Sequence, residues 1–303
     1  MIMKKILYLL SLASVVLLAS CIKEDYADCE RCTLTFSYMG DGTWDVFPEH
    51  ITRVSLYVFN SEDRLVQTKL IEQNELKAFQ GTKLNLEPGD YRVVGVGNSY
   101  NKTEVTNLSS SSSMSDIQFH HPNANNGGKV EGNDSLYLGQ KMITIPSTYW
   151  YEDDVPFQSS HLKVSYTVKS YVNPTAESTT RADGFLELRV KNLLPQTDFN
   201  NVANGEKITY NPALAYDPAK SEHNGYFNIM RHSKDADVEF ELVDKSTGKV
   251  VHTLKLADFL NEFTQIDVTK QEVLIPIIVE FKNIGVDVTI PDWMIHNVTP
   301  DYE

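Results

Sequence analysis

From Thr33 to Ile290 the apolar side chains fall mostly on every second position, and that spacing constrains the fold more than any other feature of the chain. Val54, Leu56 and Val58 share one face of an extended segment, with Arg53 and Ser55 opposite. Leu162, Val164, Tyr166 and Val168 alternate with Lys163, Ser165 and Thr167. Leu186, Leu188 and Val190 alternate with Glu187 and Arg189, and Val238, Phe240 and Leu242 with Glu239 and Glu241. Ile277, Val279 and Phe281 continue the pattern, and Val286, Val288 and Ile290 close it. A period of two puts one set of side chains on each face of a strand, so each run is a strand with one face to bury. Turn signals separate the runs, among them Pro88-Gly89 and the stretch DKSTGK at 244–249. This predicts an all-β chain of antiparallel sandwiches. One short helix is expected where Leu256, Phe259, Leu260 and Phe263 keep i, i+3, i+4, i+7 spacing.

The strand pattern is interrupted between Ser99 and Asp134 by a run of serines and the stretch HHPNANNGG, with few apolar residues. A long polar segment of that kind reads as a mobile or binding loop. A second change of composition comes at YWYEDDVPFQ, residues 149–158. The expected organisation is therefore a leader over 1–20, a tether over 21–32, an N-terminal sandwich over 33–154 and a C-terminal sandwich over 155–303. Each half holds enough strands for a core of its own.

The leader opens with Lys4 and Lys5 and continues through an apolar run, residues 6–19. That run is shorter than a bilayer-spanning helix needs and fits a signal-peptide core. Its end, Leu18-Ala19-Ser20-Cys21, resembles a bacterial lipobox, which implies a lipid on Cys21 and cleavage before it. Several acyl chains on one residue anchor stably where one gives marginal binding. Lys23, Glu24 and Asp25 then resemble the surface-export signal of Bacteroidetes lipoproteins, which implies an outer-membrane protein facing outward. As a plain charged tether the same residues would carry no address.

Without the two leader lysines, 25 basic residues stand against 41 acidic ones, a net charge of −16. Such a surface argues against nucleic acid and against adsorption to anionic membranes. The remaining cysteines, Cys29 and Cys32, form CERC. A local disulfide is preferred, because zinc would need two further ligands and a redox motif would need a following helix rather than the strand-like TLTFSY.

Catalytic motifs are missing: there is no nucleophile elbow, no zinc-protease helix and no phosphate-binding glycine loop. The chain is read as no enzyme, with no cofactor and no metal. His120-His121 in the polar segment read as solvated, Asp41 and Asp45 as turn residues, and Asp153-Asp154 as part of a linker. Trp44, Trp150 and Trp293 read as core, with sugar stacking as the alternative. The triplet Asp134-Ser135-Leu136 matches a short O-glycosylation motif that also arises by chance.

Taken together, CIKEDYADCERC, LTFSY, ITRVSLYVFNSEDRLV and LEPGDYRVVGVGN resemble the FimB-type fimbrial anchor family of Bacteroidales, the lipoproteins at the base of type V pili. VPFQSSHLKVSYTVKSY and the closing VDVTIPDW are similar too. The resemblance implies two tandem transthyretin-like sandwiches behind a lipidated N-terminus. It also implies a role in holding the fimbrium to the cell and limiting its length. An incomplete sheet edge would let fimbrial subunits dock by strand addition. A surface glycan-binding lipoprotein is the alternative.

Overall fold

The computed structural model describes residues 31–106, 108–172 and 184–295. The first half supplies β1 (Cys32–Ser37), β2 (Val54–Asn60), β3 (Leu65–Ile71), β4 (Gly81–Leu84), β5 (Gly89–Gly97), β6 (Glu104–Thr106), β7 (Gln118–His120), β8 (Tyr137–Ile145) and β9 (Tyr151–Ser159). Helices α1 (Phe47–His50) and α2 (Gln73–Ala78) connect some of them. The second half supplies β10 (His161–Lys169), β11 (Leu186–Leu193), β12 (Gln196–Asp198), β13 (Ala203–Asn204), β14 (Ile208–Tyr210), β15 (Ala215–Asp217) and β16 (Glu222–Met230). It continues with β17 (Glu239–Asp244), β18 (Val250–Lys255), α3 (Leu256–Glu262), β19 (Leu274–Phe281), β20 (Val286–Thr289) and α4 (Asp292–Ile295). The expected helix is α3, and it buries Leu256, Phe259 and Leu260 as its spacing requires.

The first sandwich is one seven-stranded sheet, β3-β2-β5-β8-β9-β1-β4, folded over on itself. β9 makes the fold-over. Its last residues, Phe157–Ser159, pair with Gly139–Tyr137 of β8, while its earlier ones run parallel to β1. Leu34 and Phe36 of β1 therefore face Val54, Leu56 and Val58 of β2 across a shared core. Phe157 fills the corner, edge-on to Phe36 at 5.6 Å and to Phe47 at 5.4 Å. Gly95 and Gly139 lie opposite one another on β5 and β8, and the ring rests over both. A Cβ on either would come within 2.6 to 2.9 Å of that ring.

In the second sandwich the sheet β15-β16-β10-β19-β20 faces β14-β11-β17-β18. The alternating residues of β10, β11, β17 and β19 form its core, with α3 closing one side. Pairing is antiparallel throughout both sandwiches except at β1–β9 and β10–β19, which are parallel. Parallel neighbours need long crossovers, and here each crossover carries most of a half.

Two sequence expectations are corrected. Residue 154 does not lie in a linker. Asp153 and Asp154 sit within β9, and the chain passes from the first sheet to the next at Ser160. The acids looked like a linker because they pair sideways. Asp154 accepts hydrogen bonds from Thr35 and Ser37 of β1, and Asp153 pairs with Lys141 at 2.9 Å.

The polar segment is not a loose loop. β6 and β7 from it join β12 and β13 of the second half in a further sheet, β13-β12-β7-β6. Val130 joins the core of the second sandwich, while Met114, Ile117 and Phe119 bury on the side of the first. These last three cover the outer face of β2, β5 and β8, where Tyr57, Phe59, Val94 and Val96 meet Phe199 from the second half. This explains why VSLYVFN has two buried faces where a sandwich strand needs one.

Candidate assembly edges and tether end

Several polar residues singled out in the sequence make hydrogen bonds that hold the fold together. His120 and His121 are buried rather than solvated, because β7 is covered by neighbouring strands. Nδ1 of His120 hydrogen-bonds the His121 carbonyl at 2.9 Å, and Nδ1 of His121 accepts from the Asn123 amide at 3.0 Å. Burial holds the His121 pKa below the ordinary histidine range. Asp45 accepts from the Tyr38 and Phe47 amides and fixes the start of α1. Asp134 accepts from the Tyr100 and Lys102 amides and from Thr103 Oγ1, so it ties down the loop after β5. Among the described residues no group of three or more His, Cys, Asp or Glu could hold a metal ion.

Asp41 reaches across to the other half and accepts from the Gln271 and Glu272 amides at 2.9 and 3.0 Å. Glu272 accepts from Tyr38 Oη at 2.6 Å, Tyr137 Oη at 3.0 Å and Lys163 Nζ at 2.5 Å. Arg231 donates to the carbonyls of Ser159, Val268 and Gln271. These groups form the polar seam between the halves, and nothing in the local sequence marks them. Tyr38 and Asp41 reach their partners at 271–272 across more than two hundred residues of chain. The cleft of about 690 Å³ beside the seam is lined in part by Lys207, Arg231, His232 and Gln271. Arg231 has already committed its donors to backbone carbonyls there.

What the fold leaves open is its sheet edges. Most are short: β15 and β14 have three residues each, and β4 and β20 have four. The longer ones are β3, with seven residues, and β18, with six. Within the sheet β3 pairs only with β2; the Leu65 amide at its start donates to the Ser112 carbonyl at 3.4 Å, and the rest of its outer row has no strand beside it. Val66 and Leu70 stand on one face of that edge, 49% and 46% exposed. Lys69 points the other way and donates to the Lys83 carbonyl at 3.0 Å, which spans the gap between the two edges of the folded sheet. A charged side chain of this kind guards an edge against indiscriminate pairing.

The tether end lies at the start of β1. Cys32 is opposite Tyr151 of β9 and Leu84 of β4, and the Tyr151 amide donates to the Arg31 carbonyl at 2.9 Å. Cys32 is fully buried, and burial, helped by Asp153, pushes its thiol up to about 12. Cys21, Lys23, Glu24, Asp25 and Cys29 lie outside the described residues. Trp44, Trp150 and Trp293 are all exposed rather than core, at 81%, 61% and 63%. Trp150 precedes Tyr151 at the tether end, whereas Trp44 follows β1 at its other end, so these two do not share a sugar-binding platform. No helix among the described residues is long and apolar enough to cross a membrane.

The family model of the fimbrillin-A associated anchor proteins Mfa1 and Mfa2 matches residues 26–299. No curated protein matches the chain by sequence. Among solved structures, the chain is similar to a Bacteroides thetaiotaomicron protein described as a candidate polysaccharide-binding protein. The two are 16% identical over 87% of this chain and 96% of that one, with a TM-score of 0.69. A candidate adhesin from Bacteroides ovatus is similar at 17% identity, over 87% and 94% of the two chains, with a TM-score of 0.69. The fimbrial anchor protein Mfa2 from Porphyromonas gingivalis is similar at 13% identity, over 85% and 94%, with a TM-score of 0.64. At these identities the likenesses show a shared fold.

Proposed function

The chain belongs to the family of fimbrillin-A associated anchor proteins Mfa1 and Mfa2, and from that premise we propose that it holds a fimbrium to the outer membrane and limits the fimbrium's length. The family match over residues 26–299 supports the anchor part of this reading. In it, Cys21 bears the lipid, and Lys23, Glu24 and Asp25 direct the protein to the outer face. The body is two transthyretin-like sandwiches that meet near Ser160. Fimbrial subunits dock by adding a strand to an open edge, for which β3 is the best suited. It is the longest open edge, and Val66 and Leu70 offer apolar contacts beside the backbone donors and acceptors. Strand addition needs no basic patch, which fits a net charge of −16.

The test is deletion of the protein from fimbriated cells. Fimbriae should assemble but shed into the medium, and their length should change. Restoring the protein as Cys21→Ala should give no fatty-acid label and no attachment, whereas replacing Lys23, Glu24 and Asp25 with alanine should hide it from added protease. Fimbriae that stay cell-bound without the protein would sink the anchor reading.

A further inference from the structure

We propose that the tip between β8 and β9, carried by Tyr149 and Trp150, rests on the membrane surface and sets the orientation of the anchored body. This rests on the reading that Cys21 carries lipid. Three observations point to it.

The first is position. The described chain begins at the tether end of the sandwich, and Tyr151 is paired with Cys32 there. The tip is thus beside the point where the chain leaves for Cys21. Eleven residue steps separate Cys21 from Cys32. Fully extended they reach about 40 Å at most, so the lipid holds this end of the body near the bilayer.

The second is exposure. Tyr149 and Trp150 are 69% and 61% exposed, although neighbours on either side along the strands, Ile145 and Val155, are buried. Two adjacent aromatic side chains left in water on the connection from β8 to β9, whose flanking strand ends pair with β5 and β1, have no packing role in the fold. Tyr and Trp combine an apolar ring with a polar edge, which suits them to the headgroup level of a bilayer.

The third is charge. Asp90 accepts from Thr144 on the same end of the sheet, and Glu87, Glu152 and Glu62 lie on the adjoining strand ends and turn. These carboxylates must stay hydrated. Arg64 pairs with Glu62 in that turn and Arg31 stands beside Tyr151, so no single sign of charge covers this end and the contact rests on the two rings. The surface therefore binds only when the lipid has already brought it there. A fimbrial subunit seated on the tip is the competing occupant, and it is less favoured because the tip faces the side from which the tether leaves.

The experiment uses the lipidated protein with Trp44→Phe and Trp293→Phe, both at exposed positions, so that Trp150 is the sole tryptophan. It is reconstituted into phosphatidylcholine vesicles brominated near the acyl carbonyl. Trp150 emission should shift to the blue and be quenched. Further replacement of Tyr149 with Ser should weaken both effects while fatty-acid label on Cys21 persists. Label present with unquenched, water-like emission overturns this proposal and leaves the lipid reading intact. Absence of label overturns both. Trp150 protected by added fimbrial subunit but not by lipid also overturns it, in favour of a protein contact.

Discussion

Replacing Glu272 with alanine should loosen the seam between the halves. Tyr38 and Tyr137 are each about 1% exposed, and both donate their hydroxyls to Oε1 of Glu272, at 2.6 and 3.0 Å. A buried hydroxyl left without a partner costs about 1–3 kcal/mol. Tyr137 retains His50 Nδ1 at 3.4 Å as a weaker partner, so the pair should lose about 2–4 kcal/mol rather than the full sum. Lys163 loses its partner too, but its side chain is partly exposed and water replaces much of the interaction. For a chain of this size each kcal/mol lowers Tm by about 2–4 °C, so the expected shift is about 4–16 °C.

Glu272→Gln keeps a carbonyl oxygen for the two hydroxyls and should cost about half as much. The pH arm has a definite sign. Burial raises the Glu272 pKa, but hydrogen bonds from Lys163 and Tyr38 outweigh it and leave the carboxylate below its ordinary value of 4.5. Its contribution is therefore complete above that value and disappears as pH falls through the lower folded one. Urea unfolding of the mature protein at neutral and acidic pH reads both effects. If Glu272→Ala lies within about 0.5 kcal/mol of the parent at neutral pH, the seam does not hold the halves together and the argument is wrong.

Other perturbations follow from the same geometry. Gly95→Ala or Gly139→Ala should each destabilise the first sandwich by about 1–3 kcal/mol, since the new Cβ meets the Phe157 ring at 2.6 or 2.9 Å; an unchanged urea midpoint would refute the corner packing. Asp244 caps the β17–β18 turn. Burial raises its pKa, yet hydrogen bonds from Ser246 and Tyr171 bring it down to about 2. Stability from this group is full above the ordinary aspartate value of 3.8 and falls away towards about 2, so Asp244→Asn should flatten acid unfolding in that window. Cys29 and Cys32 should be joined in the mature protein. Intact-mass measurement without reductant checks this, and two alkylatable thiols after unfolding would contradict it.

The all-β class was legible because a period of two in side chains can be buried only by sheets. The helix α3 was legible because Leu256, Phe259 and Leu260 keep the other period. The family was legible in local strings, of which ITRVSLYVFNSEDRLV covers all of β2 and runs into β3. What could not be read is what depends on partners far along the chain. His120-His121 look solvated in a polar stretch, and only pairing with β6 and β12 buries them. Asp153-Asp154 look like a linker, and only the parallel approach of β1 turns them into strand residues with hydroxyl partners. Glu272 carries no signal at all until Tyr38, Tyr137 and Lys163 converge on it. Periodicity is a local property of side chains and survives in one dimension. Burial and charge pairing depend on which strand comes to lie alongside, and long-range sheet pairing in three dimensions decides that.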